Sequence, residues 1–221
     1  MRRTRALKLL LAGVLSLVSL RSPAWASGDK EKIDPEFQAV TCASVIKLTH
    51  VSSGFKLHSH GVNYGTGSGQ QSVTGFPNPD DTNSYFVVRA AFGQECARGD
   101  PIPCDSIIRL EHLNTHKFLH SHSHKSPLSS NAEVSAYPSP GDSGDNWKIH
   151  CLTRGSKVWR REESVRLHHV ETAKYLGASS TLKYGNPING QIEVAGYVGA
   201  GVTQTTWRAN EGIYFTDNTI S

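Results

Sequence analysis

The chain has 221 residues, with 23 Lys and Arg against 19 Asp and Glu, 11 His and four Cys. Its formal charge of +4 belongs to the first 26 residues, which hold five basic and no acidic side chains, so the rest balances at 18 − 19 = −1. No basic footprint remains, which excludes nucleic acid and an anionic membrane surface as expected partners.

The chain opens with Arg2, Arg3, Arg5 and Lys8, then the apolar run Leu9–Leu20, then Pro23-Ala24-Trp25-Ala26. A positive start, a short apolar stretch and an Ala-x-Ala ending make a secretory signal peptide over 1–26. Twelve apolar residues reach about 18 Å as a helix, short of the roughly 30 Å of bilayer hydrocarbon, so an anchor is not expected. No later stretch is apolar enough to span a bilayer, and no membrane insertion is expected. Residues 27–40 read as a polar N-terminal segment. A single domain follows over 41–216, and it is long enough to bury one core.

From there the chain repeats itself three times. Val45-Ile46-Lys47-Leu48-Thr49-His50 is followed by Phe55-Lys56-Leu57-His58-Ser59-His60. Ile107-Ile108-Arg109-Leu110-Glu111-His112 is followed by Lys117-Phe118-Leu119-His120-Ser121-His122, and Ser164-Val165-Arg166-Leu167-His168-His169 by Lys174-Tyr175-Leu176-Gly177. The leucines stand nine apart in each copy, at 48/57, 110/119 and 167/176. Further on, Gln70-Gln71-Ser72-Val73 aligns with Asn131-Ala132-Glu133-Val134 and with Gln191-Ile192-Glu193-Val194. An aromatic follows 13 residues after each valine: Phe86, Trp147 and Trp207. The repeats span about 42–96, 104–151 and 163–210.

Within a copy, apolar and polar residues alternate, and Gly, Asn, Asp, Ser and Pro cluster between the runs. That pattern gives about four short strands per copy and no helix. Twelve strands in three equal units close best as an all-β β-trefoil, since one unit alone would expose its apolar face and closure removes sheet edges. Four cysteines in an oxidising compartment predict two disulfides. Cys42 and Cys104 precede the first strand of a unit, and Cys96 and Cys151 follow the last, which favours Cys42–Cys96 and Cys104–Cys151 over a bridge between Cys96 and Cys104. No Asn-x-Ser/Thr sequon occurs.

Long matching segments give this chain a family resemblance. The doubled Leu-His-Ser-His motif, Gly67–Gly75, Asp81-Thr82-Asn83-Ser84-Tyr85, Ser126-Pro127-Leu128-Ser129, Gly190–Val194 and Trp207 with Glu211-Gly212-Ile213 resemble the stromal cell-derived factor 2 family from about Thr41 to Phe215. The resemblance implies three MIR motifs folded as a β-trefoil, a unit shared with protein O-mannosyltransferases and with inositol trisphosphate and ryanodine receptors. It implies a lumenal protein of the endoplasmic reticulum, without enzymatic activity or cofactor. The partners it implies are a J-domain co-chaperone, a heat-shock-70-class chaperone and unfolded secretory clients. Animal relatives commonly end in a His-Asp-Glu-Leu-like retrieval tail, whereas this chain ends Asp217-Asn218-Thr219-Ile220-Ser221. Retention through a tagged partner is the expectation, with secretion the alternative. A secreted lectin-like protein binding mannose-type glycans is the competing function.

Two sets of side chains are binding candidates. His58 and His60, and likewise His120 and His122, place two imidazoles on one strand face. Each pair offers two metal ligands, but a site needs a third and the third copy reads Gly177-Ala178-Ser179 instead. Polar packing or contact with a partner is therefore expected, and no metal. The same imidazoles change charge near physiological pH. The aligned amides Gln70, Asn131 and Gln191 suit sugar hydroxyls beside a stacking aromatic, or else tie down a turn in each unit. Gly65–Gly69 lacks the Gly-Lys-Ser/Thr ending of a phosphate loop and reads as a mobile turn. No catalytic constellation is legible.

Overall fold

A computed structural model describes residues 33–199 and 203–219; the signal peptide expected over 1–26 lies outside them. The first unit holds strands β1 (Val45–His50), β2 (Lys56–Asn63), β3 (Gln71–Phe76) and β4 (Phe86–Ala90). The second holds β5 (Ile107–His112), β6 (Lys117–Lys125), β7 (Ala132–Pro138) and β8 (Trp147–Cys151). The third holds β9 (Ser164–His169), β10 (Tyr175–Lys183), β11 (Ile192–Tyr197) and β12 (Trp207–Ile213). Local alternation marks strands such as β9, where Val165, Leu167 and His169 are buried while the residues between them are half-buried; β3 and β11 are instead buried on both faces.

The first and last strands of each unit form a closed barrel. β1 pairs with β12, β4 with β5 and β8 with β9 between units; β1–β4, β5–β8 and β12–β9 pair within them. All pairings are antiparallel. The middle strands form hairpins β2–β3, β6–β7 and β10–β11, each with its register shift at the same place, after Ser59, Ser121 and Ser179. β3, β7 and β11 then pair with one another in a triangle that caps one barrel end. This arrangement is a β-trefoil.

The repeated apolar positions fill the barrel. Leu48, Leu110 and Leu167, Leu57, Leu119 and Leu176, Val73, Val134 and Val194, and Phe86, Trp147 and Trp207 are all fully buried. Each such side chain contributes roughly 1.5–3 kcal/mol by leaving water. These two indole N–H groups are satisfied, Trp147 Nε1 donating to Leu119 O and Trp207 Nε1 to Leu176 O, both at 2.9 Å. Phe86 fills the equivalent volume in the first unit and needs no such acceptor.

A second closure seals the other barrel end. Val40, Ile102 and Trp159 each stand eight residues before the first leucine of a unit. Their backbones bond in a ring: Val40 N to Trp159 O, Trp159 N to Ile102 O and Ile102 N to Val40 O. The trefoil therefore starts before residue 41: Ala39 and Val40, read from sequence as part of a polar segment, are buried in it. The cysteines pair as Cys42–Cys96 and Cys104–Cys151. The third unit carries Arg161 at the position of Cys42 and Cys104, and its guanidinium lies 4.0 Å from the ring centre of Tyr214. The next residue takes the same left-handed turn in all three units, Ala43, Asp105 and Glu162 having φ between 61° and 67°. Among the described residues no helix is long and apolar enough to cross a membrane.

Candidate functional site

Three equivalent histidines close the strand ends of the barrel. His50, His112 and His169 end β1, β5 and β9 and are almost completely buried. Each ring lies against the core aromatic of a neighbouring unit: His50 on Trp207, His112 on Phe86 and His169 on Trp147, with centroids 5.0, 5.3 and 4.7 Å apart. Nε2 meets the carbonyl of Gln204, Asn83 or Gly144, and Nδ1 meets the hydroxyl of Ser53, Thr115 or Thr172. A carbonyl only accepts, so Nε2 carries the proton and Nδ1 accepts from the hydroxyl. Desolvation lowers the pKa of all three. They are neutral structural groups, legible in sequence as the histidine two places after each first leucine.

The histidine pairs on β2 and β6 sit on the outer hairpin faces. His58 is buried beneath Phe76, at 4.9 Å between centroids, with Ser84 Oγ 3.4 Å from its Nδ1. Burial pushes its pKa down to about 4, against a smaller opposing pull from Asp81. His120 lies beneath Tyr137, stacked at 4.8 Å, and its Nδ1 donates to Asp145 Oδ1 at 3.0 Å. The third unit has no imidazole here because Tyr197 occupies the space: a Cβ on Gly177 would run into the Tyr197 ring and the Gln204 carbonyl.

His60, His122, Gln70 and Gln191 are brought together at the capped end, where they join one unit to the next. Gln70 Oε1 accepts from Ser135 Oγ, tying the first unit to the second. The Gln191 amide lies between the Thr74 hydroxyl and His60 Nε2, tying the third unit to the first. His122 Nε2 donates to Glu133 Oε1, which also accepts from the Ser68 hydroxyl of the first unit, while Oε2 takes the Ser68 N–H. Ser126 Oγ donates to Glu193, tying the second unit to the third. Asn131, the third aligned amide, makes no such tie: Ala195 stands where Ser135 and Thr74 offer a hydroxyl. Gln70 and Gln191 therefore bind neighbouring units rather than their own turns.

The Gly65–Gly69 loop holds the same carboxylate and is not simply a mobile turn. Gly67 has φ +69°, and a Cβ there would overlap Glu133 Oε2. Burial alone would raise the pKa of the fully buried Glu133, yet hydrogen bonds from His122 and Ser68 outweigh it and hold the carboxyl ionised. Beside this loop, Val62, Tyr64, Pro127, Tyr184 and Ile188 line a recess of about 160 Å³ that draws walls from all three units. Tyr64 anchors it, its hydroxyl donating toward Val73 O and Val134 O at 2.8 and 3.0 Å.

Comparison with known proteins bears on the whole arrangement. The family model for the MIR domain matches residues 56–180. The stromal cell-derived factor 2-like protein of Dictyostelium discoideum is 43% identical over 207 residues, covering 91% of this chain and 96% of that protein. The crystal structure of the SDF2-like protein from Arabidopsis thaliana matches with TM-score 0.78 and 43% identity, over 81% of this chain and 99% of that one. A protein O-mannosyltransferase complex of S. cerevisiae bound to its sugar donor matches with TM-score 0.70 and 26% identity, over 86% of this chain but 29% of that one.

Proposed function

The chain belongs to the stromal cell-derived factor 2 family, and on that premise we propose that it is a non-catalytic component of chaperone complexes in the endoplasmic reticulum lumen, assisting the folding and quality control of secretory proteins. One observation carries this reading: the likeness to the family's members extends over nearly the full length of both chains and over every unit of the trefoil. Two disulfides in a fold of this size fit the oxidising secretory pathway. The side chains that looked most chemical in sequence are occupied inside the protein: His60, His122, Gln70 and Gln191 hold units together, and His58 and His120 lie under aromatic rings. A binding surface on a rigid trefoil is what remains.

The partners are a lumenal J-domain co-chaperone, a heat-shock-70-class chaperone and unfolded clients. Affinity capture of the tagged protein from secretory lysate, read by mass spectrometry, tests this. Stoichiometric recovery of both chaperones is the expected result. Recovery of neither, with the protein found chiefly in the medium, defeats the reading. A glycan array then tests the lectin-like alternative, in which mannose-type glycans are the ligand.

A further inference from the structure

We propose that the outer face of the seam between the second and third units is a docking surface for an acidic protein segment, held by Lys148 and His150 of β8 and by Arg166 and His168 of β9. The register brings them together: Lys148 stands opposite His168, and His150 opposite Arg166. The residues between them, Ile149 and Leu167, turn into the barrel, so the four half-buried side chains share its outer surface. The rings of His150 and His168 lie 5.8 Å apart across the two strands. Arg208, opposite Ser164 on β12, extends the same face and donates from Nε to Ser164 Oγ at 3.2 Å. The chain beyond residue 26 is close to neutral, so this basic character is local and arises from strand pairing rather than composition.

The other two seams carry counter-charges that this one lacks. Between the first and second units, Arg89 of β4 pairs with Glu111 of β5 at 2.7 Å, and between the third and first, Lys47 of β1 pairs with Glu211 of β12 at 2.9 Å. His168 stands at the place of Glu111, one residue before the strand-end histidine, and Cys151 at the place of Glu211, four after the core aromatic. Both carboxylates are therefore replaced where β8 meets β9. Asp105, 64% exposed, accepts from His150 Nδ1 at 2.8 Å, and Glu162, ahead of β9, is taken by Asn210 Nδ2 at 2.6 Å. Among the described residues no carboxylate pairs with Lys148 or Arg166, and Arg166 Nε is buried without an acceptor. Like charges opposite one another on a ladder destabilise it. Burial lowers the His168 pKa, and the neighbouring His150 and Lys148 lower it further, against a hydrogen bond at Ala173. An extended segment presents alternate side chains on one face about 6.8 Å apart, which is the spacing from Lys148 to His150 and from Arg166 to His168. Glu or Asp at every second position meets this face. β8 and β9 are each paired on both sides, so side chains rather than a backbone edge do the recognising. Exposed Ile107, opposite Lys148, and Leu152, just after β8, add apolar contacts at its border.

Fluorescence anisotropy of a labelled peptide, Gly-Glu-Ser-Glu-Ser-Glu-Ser-Glu-Gly, titrated with the purified protein in about 0.15 M salt tests the proposal beside a peptide with Gln for every Glu. The peptide is measured alone, so the outcome is independent of whether chaperones are captured. Lys148→Gln with Arg166→Gln removes two charges of the face. His168→Glu restores the carboxylate that the second unit carries as Glu111. Lys183→Gln removes an exposed lysine elsewhere, near the end of β10. The expected result is saturable binding of the glutamate peptide that weakens as salt rises, and none of the glutamine peptide. Affinity falls at least about tenfold in the double variant and in His168→Glu, and is unchanged in Lys183→Gln. Should the double variant fail to fold, His168→Glu decides. No binding by the wild type, equal binding of both peptides, undiminished affinity in the face variants, or an equal loss in Lys183→Gln overturns the proposal. Displacement of the peptide by an equal concentration of inorganic phosphate assigns the face to a simple anion and overturns it as well.

Discussion

The buried histidines set both stability and its pH dependence, residue by residue. His169→Ala removes a ring packed on Trp147 and leaves the Gly144 carbonyl and the Thr172 hydroxyl without their partner. A cavity and an orphaned buried acceptor together should cost about 3–4 kcal/mol, measurable by urea unfolding followed through tryptophan fluorescence. Acid acts on the same groups. His50, His58, His112 and His169 have folded-state pKa values below the ordinary 6.5 because burial disfavours the imidazolium. Near and below pH 6.5 the unfolded chain binds protons that the folded one refuses. Stability is therefore full above about pH 7 and falls as pH drops, the His58 share continuing down to about pH 4. Each such group contributes a limiting slope of about 1.4 kcal/mol per pH unit. Replacing His58 with glutamine should flatten the profile between pH 6 and 4; an unchanged profile in urea titrations there would refute its share.

At the level of elements, the loop–strand contact between Gly67 and Glu133 is the tightest feature of the capped end. Gly67→Ala puts a Cβ onto the Glu133 carboxylate at a φ of +69°, which should cost about 2–4 kcal/mol from conformation and lost hydrogen bonds. Thermal melts of this variant beside Gly69→Ala, which shares a φ of +68° but whose Cβ would meet nothing within 4 Å, isolate that contact. Elements were also where sequence and structure parted. The strands were legible because alternation and a nine-residue leucine spacing recur three times. The His50, His112 and His169 set was visible in the same alignment but blended into the strand ends. The ties from Gln70 to Ser135 and from Gln191 to Thr74 were not legible, since they join residues 65 and 117 apart in the chain. Nothing local in Gly65–Gly69 tells a reader that a buried carboxylate lies beneath it. Likewise the carboxylates beside His120 lie 22 and 25 residues away, on a turn whose fold had to be seen.

For the molecule as a whole, three closures act in rings: the barrel, the β3–β7–β11 cap and the Val40–Ile102–Trp159 ring. Two disulfides reinforce the first two units by closing loops of 54 and 47 residues. Removing either pair by Cys→Ser substitution should cost about 4 kcal/mol by chain entropy, and guanidinium unfolding of the single and double removals measures it. The third unit stacks Arg161 on Tyr214 instead, so its seam should be unaffected by reductant that weakens the other two.

The pairing of β1 with β12 also shapes how the protein comes into being. The ribosome delivers Val45 some 162 residues before Trp207 (207 − 45). At a synthesis rate of about 5–20 residues per second, β1 waits roughly 8–32 s for the strand that completes it. Throughout that wait its backbone edge and its apolar side chains Ile46 and Leu48 stand open to wrong pairing. A protein proposed to serve others during their folding is, in its own making, a passenger that needs the same shelter.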